Sequence, residues 1–282
     1  MTQTIELSAG DLRLAVRADL GGCITGLWHR GQAVLRSTEP AQLGGAGSAG
    51  CFVTAPYGDR LGFSRFRWAG AEHCVVANVE GSPHAVDGVV WQRPWQSGQA
   101  DPAAAELICT HTPDEHWPYA FELTHRIELS ADELMLRLTL RNSGPSAQPV
   151  GLGWHPFFPR RSRSRLHVEL TDRWDTDATQ LPTRRVPQPG IDANVAHLAF
   201  DHCFDGWTGA ARLRDERFSL RLTSSLDHLV VHTPTNVDWY CVQPLSHVSN
   251  AIHMADPLAH GLQRLQPGES AQAWMKLEIA AI

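Results

Sequence analysis

The sequence predicts an all-β protein, because apolar and polar residues alternate along it with a period of two. Residues 134–141 carry leucine at every even position, and residues 121–128 alternate in the same way. Such alternation is typical of strands with one buried face and one solvent-facing side. No stretch combines a helical period of 3.6 with caps over more than about two turns. We therefore predict an antiparallel β-sandwich or barrel with little helix.

Further short strands follow from the same pattern. They are predicted at residues 11–17, 165–170, 217–223, 228–232 and 273–279. Turn sequences such as Pro267-Gly268 separate them. The stretches QLGGAGSAG (42–50) and PTRRVPQPG (182–190) are predicted to be loops. Neither loop separates halves of different composition, so we predict one domain over residues 1–282.

Composition and charge exclude several classes of protein. The 282 residues are 43% hydrophobic and 19% charged, with a net charge of −6. This excludes disorder of the bulk of the chain, and the acidic balance argues against nucleic-acid binding. No apolar run approaches the ~18 residues of a membrane helix, and the first residues lack a secretory pattern. We predict a cytoplasmic protein with no nucleic-acid or membrane partner and with reduced cysteines; the sequence makes no prediction of oligomeric state.

The most unusual local sequence is GLGWHPFF at residues 151–158. Its two glycines allow close backbone approach, and His155 is held extended because it precedes a proline. A histidine fixed among aromatic residues is a plausible proton donor near neutral pH. The aromatic side chains could form an apolar wall for the C–H face of a sugar. A core histidine at a strand end is the alternative.

Four further clusters combine charged, aromatic and turn residues. They are PYGDRLGFSRFRW (56–68), HAVDGVVWQRPW (84–95), DHCFDGW (201–207) and CVQPLSHVSNA (241–251). Arg60 follows a turn, where its fork of donors can reach a ligand hydroxyl or carboxylate. The pairs His111/His116 and His228/His232 lack carboxylate or thiolate neighbours at ligand spacing, so no metal site is predicted.

Taken in order, these five clusters resemble the aldose 1-epimerase (galactose mutarotase-like) family, and the resemblance extends to the last strand near Glu278. The H-P-F-F element and the order of the clusters make it specific. The resemblance implies a β-supersandwich with an open groove over one sheet. It also implies interconversion of the α and β anomers of a free aldohexose, in which a base deprotonates the anomeric hydroxyl and an acid protonates the ring oxygen. Both steps are proton transfers, so no cofactor is implied.

The resemblance also assigns roles to individual residues. His155 would be the general acid at the ring oxygen, and His84 would bind and orient sugar hydroxyls. Arg60, which follows Asp59 here, would contact a hydroxyl, and Asp201 would accept hydrogen bonds from others. Three aromatic residues would form apolar walls: Trp154, Phe157 and Trp207.

The base position departs from the family pattern, which reads roughly C-[VI]-E-P. This chain has Gln243 in place of the glutamate, and an amide cannot take a proton. General-base assistance contributes roughly 10²–10⁴-fold, so another base must act or most turnover is lost. His247 shares the strand face of Gln243 but lies about 13 Å further along the strand. Asp201 or a bound water is as good a substitute.

Three functions are therefore compatible with the sequence. The first is an active aldose 1-epimerase or a related hexose epimerase. The second is a sugar-binding or regulatory protein with little turnover, which the replacement of the family's glutamate by Gln243 suggests. The third is a hexose-6-phosphate 1-epimerase, suggested by the run RRSRSR at residues 160–165, because arginine forks suit phosphate. A solvated loop is the alternative interpretation of that run.

Overall fold

The computed structural model describes residues 4–282, in which strands dominate and every helical segment is a single 3₁₀ turn. In chain order the strands are β1 Thr4–Ala9, β2 Leu12–Arg17, β3 Cys23–His29, β4 Gln32–Ala33, β5 Cys51–Thr54, β6 Arg60–Leu61, β7 Arg65–Trp68, β8 Ala71–Cys74, β9 Ala85–Val86, β10 Gln96–Asp101, β11 Ala104–His111, β12 Phe121–Leu129, β13 Glu133–Asn142, β14 Gln148–Val150, β15 Gly153–Pro159, β16 Arg165–Val168, β17 Asp172–Thr176, β18 Pro182–Pro187, β19 Ile191–Asn194, β20 Asp201–Asp205, β21 Ala210–Arg214, β22 Phe218–Ser224, β23 His228–His232, β24 Trp239–Leu245, β25 Gln263–Leu265 and β26 Ser270–Ala281. The 3₁₀ turns are Pro40–Gln42, Ala46–Ser48, Gly62–Ser64, Val90–Gln92, Val195–His197 and Ala251–His253. The predicted all-β fold with little helix is confirmed. Within residues 4–282 no helix has the length and apolar character needed to span a membrane.

Two large antiparallel sheets form the body of the fold. The first has the order β1-β2-β3-β5-β15-β24-β23-β20-β17-β18, with β4 also paired to β3, and the second has the order β10-β11-β12-β13-β26-β22-β21-β16-β19. One core cluster takes Leu14 and Phe158 from the first sheet and Leu123 and Leu136 from the second. The two sheets therefore pack face to face as a sandwich, with alternate residues of each strand pointing inward.

The predicted strands appear where alternation is strongest. Strand β13 covers the predicted 134–141, and its leucines are buried while Arg137 and Arg141 are exposed. Strand β23 has the predicted bounds, 228–232. In β13 the leucines face the core and the alternate residues face outward, and that burial fixes the register of the strand against its neighbours. Strand β23 has three consecutive buried residues instead.

The prediction of a loop over residues 182–190 was wrong, because residues 182–187 form strand β18. This strand lies at the edge of the first sheet and pairs with β17. Proline is tolerated on an edge strand, where a missing N–H costs no ladder bond on the open side. Arg184 and Arg185 bond to Asp175 and Asp172 across the pair. The turn between β17 and β18, residues 177–181, reaches the site described next.

Candidate active site

The candidate site lies on the central strands of the first sheet, where the register aligns polar residues in rows. Phe52 on β5 pairs with His155 on β15. The pairings Gly153 with Leu245 and Phe157 with Cys241 place His155 opposite Gln243 on β24. Gln243 in turn pairs with Val230 on β23. One row across four strands therefore carries His155, the predicted general acid, and Gln243, the residue at the predicted base position.

A second row lies two residues along each strand, on the same face. Phe157 pairs with Cys241, Cys241 pairs with His232, and His232 pairs with Asp201 on β20. This pairing brings Asp201 from a distant segment to the predicted site. It also adds His232, which the sequence analysis considered only as half of a metal pair.

A pocket of about 620 Å³ opens above these rows. Its walls are strand residues, the segment 79–87 and the tip of the β17–β18 turn. Five of the predicted site residues line it: Arg60, His84, His155, Asp201 and Gln243. The pocket is large enough for a monosaccharide, since ligand pockets of proteins span roughly 300–1,000 Å³.

His155 packs against two aromatic rings that also contact each other, with their centroids 5.9 Å apart. Phe52 stacks on it with ring centroids 4.8 Å apart, and Phe157 does so at 4.3 Å. The Nδ1 atom is buried without a hydrogen-bond partner in the described part of the chain, which leaves Nε2 for a ligand. Burial, with smaller contributions from the charges of His232 and Arg36, lowers the pKa of His155 to about 3. The imidazole is therefore neutral at pH 7.

Arg60 is fixed by three partners. Its Nη2 donates to Asp201 Oδ2 at 2.9 Å and to Gln180 Oε1 at 2.6 Å, and its Nη1 donates to Asp59 Oδ1 at 3.1 Å. The guanidinium thus ties strand β20 and the β17–β18 turn to strand β6. Its fork is oriented by carboxylates, as a ligand-positioning arginine requires.

His84 lies in the pocket wall, but both of its ring nitrogens already have protein partners. The backbone N–H of Phe63 donates to Nδ1 at 2.9 Å, and Nε2 donates to the carbonyl of Thr179 at 2.9 Å. The predicted role of hydrogen bonding to sugar hydroxyls is not available to His84 in this arrangement. It instead fastens the tip of the β17–β18 turn over the pocket.

Gln243 bonds to a carboxyl group that the sequence analysis did not single out. Its Nε2 donates to Asp87 Oδ1 at 3.3 Å, and the backbone N–H of Asp59 donates to the same oxygen at 2.8 Å. Asp87 also lines the pocket and is 5% exposed. Burial, and next the charge of Asp59, raise the pKa of Asp87 to about 7. Asp87 was missed because its ionisation depends on neighbours 28 and 156 residues away in the sequence.

The local backbone around Asp87 is unusual. Asp87 has φ of 58° and Asp59 has φ of 55°, a left-handed region that few side chains other than Asn and Asp adopt readily. A Cβ on Gly88 would lie 1.9 Å from the carbonyl oxygen of Ala55, so only glycine fits the next position. Strained backbone of this kind clusters at functional sites.

The suggestion that His247 replaces the missing base was wrong. Its Nε2 accepts from the backbone N–H of Gly58 at 3.0 Å, and its Nδ1 donates to the carbonyl of Val248 at 2.8 Å. His247 is buried outside the pocket lining, and burial lowers its pKa to about 4. With both nitrogens engaged, it anchors the segment that precedes Arg60.

The three predicted aromatic walls are not at the pocket surface. Trp154 is fully buried between the sheets, because it adjoins His155 and neighbouring strand residues point to opposite faces. Trp207 belongs to the same core and donates from Nε1 to the carbonyl of Ala210 at 2.8 Å. Phe157 lies behind His155 rather than beside a ligand, and the Arg36 guanidinium stacks 3.6 Å from its ring.

The buried position of Trp154 gives a testable distinction. Its Nε1 donates to His125 Nε2 at 3.4 Å across the sandwich. We expect Trp154→Phe to lower the free energy of unfolding by on the order of 1–2 kcal/mol, because it leaves a void and removes that donor. Sugar affinity should not change, as measured by titration calorimetry beside urea unfolding. If Trp154→Phe weakens sugar binding and leaves stability unchanged, Trp154 contacts the sugar and is not a core residue.

No group of three or more histidine, cysteine, aspartate or glutamate side chains in residues 4–282 is arranged to hold a metal ion. The pocket's polar groups instead bond to each other. The arrangement offers proton donors, proton acceptors and hydroxyl-binding groups around a single cavity.

Comparison with known proteins shows the family to which the chain belongs. Residues 3–278 match the Aldose 1-epimerase family. The chain belongs to the aldose 1-epimerase family, a group of isomerases that act on sugars. Among curated proteins it is 28% identical to the uncharacterized Escherichia coli K12 protein YphB over 291 residues, which cover 97% of both chains.

Solved structures show the same fold over the whole chain. A candidate aldose 1-epimerase from Escherichia coli K12 is 25% identical with a TM-score of 0.89, and the match covers 100% of each chain. A galactose mutarotase-like protein from Clostridium acetobutylicum is 18% identical with a TM-score of 0.87, covering 100% of this chain and 96% of that one. The fold is thus that of galactose mutarotase-like proteins.

Proposed function

We propose that the protein interconverts the α and β anomers of a free, unphosphorylated aldohexose. The observation that carries this proposal is the alignment of His155 with Gln243 in a pocket that also contains Arg60 and Asp201. Ring opening moves a proton off the anomeric hydroxyl and places charge on the ring oxygen. A pocket with a fixed imidazole and hydroxyl-binding groups suits that reaction.

His155 is suited to stabilising the ring oxygen as a neutral hydrogen-bond donor. Its pKa of about 3 keeps the imidazole uncharged across the neutral range. A neutral imidazole can polarise an oxygen through its N–H, as it does in other enzymes. The packing of Phe52 and Phe157 against the imidazole holds Nε2 in place, so the bond needs no reorganisation when charge develops.

The charge of the pocket favours an uncharged sugar over a phosphosugar. One arginine, Arg60, lines the pocket together with four acidic residues, Asp59, Glu80, Asp87 and Asp201. None of the arginines at 160–165 lines the pocket, and Arg161 and Arg165 pair with Asp215 and Asp192. A phosphate dianion would meet net negative charge here.

Polarimetry tests both parts of this proposal. We expect the protein to speed the mutarotation of freshly dissolved α-glucose or α-galactose over the rate in buffer. The 6-phosphate of the same sugar should react with kcat/KM at least about tenfold lower, and added salt should narrow that gap. Preference for the phosphosugar would contradict the charge argument, and no acceleration of any aldose would contradict the activity itself.

The second function that an observation favours is a sugar-binding protein with little turnover. Gln243 occupies the base position and cannot take a proton. This alternative predicts measurable sugar binding without acceleration of mutarotation. The polarimetric rate therefore separates the two functions.

A further inference from the structure

We infer that Asp87 is the general base of this pocket, taking the place of the glutamate that Gln243 replaces. This inference rests on the proposed function, because a base is needed only if the anomers are interconverted. Nothing in the family pattern places a base at residue 87. The inference follows from the contact between the Gln243 amide and the Asp87 carboxyl at 3.3 Å.

The carboxyl of Asp87 is held by one oxygen and leaves the other available. Oδ1 accepts from the backbone N–H of Asp59 and from Gln243 Nε2. The backbone N–H of Asp87 donates to the carbonyl of Asp59 at 2.9 Å. No group in residues 4–282 donates a hydrogen bond to Oδ2, although Asp87 lines the pocket. A base needs a fixed position and one free oxygen, and Asp87 has both.

The position of Asp87 explains how an amide can stand at the base site. Gln243 faces the pocket from strand β24, directly opposite His155. A carboxyl that contacts its Nε2 lies within one hydrogen-bond length of the family's base position. The acidic group is thereby supplied by the segment after β9 instead of by the strand, and Gln243 becomes the residue that positions it.

The proton transfer balances with these groups. Asp87 takes the proton of the anomeric hydroxyl, and the electron pair of that O–H bond forms the C1=O1 double bond. The C1–O5 bond breaks with its electron pair on O5, which accepts a hydrogen bond from Nε2–H of His155. O5 then takes a proton from solvent in the open pocket, and Asp87 releases its proton to the same solvent. Closure on the other face of C1 reverses these transfers.

The charged groups around Asp87 determine the pH above which its carboxyl group is deprotonated and can accept a proton. Asp59 lies beside it on the neighbouring turn, Arg60 lies on the same segment as Asp59, and the Gln243 amide faces it from the sheet. Burial and the charge of Asp59 raise its pKa, whereas the hydrogen bonds from the Asp59 N–H and Gln243 and the charge of Arg60 oppose the rise. Tyr57 and Cys241 also interact electrostatically with Asp87, and burial raises the pKa of both. In the pocket, burial lowers the pKa of His155 to about 3 and also lowers that of His232.

The test uses the isosteric variant Asp87→Asn, which keeps the Oδ1 acceptor and removes the base. We expect kcat for anomer interconversion to fall by about 10²–10⁴-fold with KM nearly unchanged. The double variant Asp87→Asn/Gln243→Glu returns a carboxyl to the family's base position and should recover at least about tenfold of the loss. Asp227→Asn removes an exposed carboxyl outside the pocket and serves as the matched control.

A second measurement needs no variant. With wild-type protein, kcat/KM corrected for the buffer rate should rise through about pH 7 and then remain level, because only deprotonation of Asp87 is required. If the wild type is active but Asp87→Asn is equally active, the role of Asp87 is overturned and the proposed function stands. A wild-type profile that is flat across pH 7 has the same consequence. Absence of any acceleration by wild type would overturn the proposed function and this inference together.

Discussion

Replacing His155 with phenylalanine is expected to lower kcat/KM for anomer interconversion by about 10²–10³-fold, the cost of removing one hydrogen-bond donor at a developing oxyanion. Phenylalanine keeps a ring packed against Phe52 and Phe157, so packing of the strand face is preserved. His155→Gln retains an N–H and should lose less. Polarimetry, or enzymatic oxidation of one anomer in a coupled assay, measures the rates. His197→Gln changes an exposed histidine and serves as the control.

The same prediction has a pH signature. Because burial lowers the pKa of His155 to about 3, the imidazole does not titrate between pH 6 and pH 9. Activity should therefore show no loss at alkaline pH from this residue. A fall in kcat/KM above pH 7 that disappears in His155→Phe would show that imidazolium is the acid. Unchanged activity in His155→Phe would show that His155 has no role in the reaction.

Asp87→Asn is expected to make the protein more stable at pH 8 while it removes activity. The pKa of Asp87 rises from its ordinary value of 3.8 to about 7 in the fold. Between these two values the folded protein holds a proton that the unfolded chain has released, so stability falls as the pH rises from about 4 to about 7 and then levels off. At about 1.36 kcal/mol per pKa unit, the buried carboxylate costs about 4 kcal/mol at pH 8. Asparagine carries no such cost.

Urea unfolding at several pH values measures this effect. The advantage of Asp87→Asn should be largest at pH 8, shrink to less than half by pH 5 and vanish below about pH 4, where Asp87 is protonated in both states. The exposed Asp227→Asn serves as the matched control. Lower stability of Asp87→Asn at pH 8 would mean that the hydrogen bonds of the carboxylate outweigh its burial. Higher stability of Asp87→Asn at pH 8 would show that the native carboxylate lowers the stability of the fold at a functional site.

Much of the fold and part of the site were predictable because both rest on local patterns. Alternation of period two located strands such as β12 and β13. Ordered motifs identified His155, Arg60, Asp201 and Gln243 as pocket residues. Strand β18 was missed because its two prolines indicate a loop, and only its edge position makes them acceptable. The error over Trp154 was avoidable, since alternation itself places it on the face opposite His155.

The remaining features depend on tertiary pairing. His232 enters the pocket because β23 pairs with β20 opposite Asp201, a register that the sequence does not reveal. His84 and His247 lose their predicted ligand or base roles to backbone groups of Phe63, Thr179, Gly58 and Val248. The raised pKa of Asp87 arises from burial and from Asp59, so no motif search could have found it.

The most direct test of the central claim is two-dimensional exchange NMR on free aldohexoses at anomeric equilibrium. Cross-peaks between the H1 signals of the α and β anomers report interconversion without requiring a pure anomer. The proposed function predicts that wild-type protein produces these cross-peaks for at least one unphosphorylated hexose at pH 8, and that His155→Phe at the same concentration does not. No cross-peaks above buffer for any hexose tested, with sugar binding demonstrated, would contradict it.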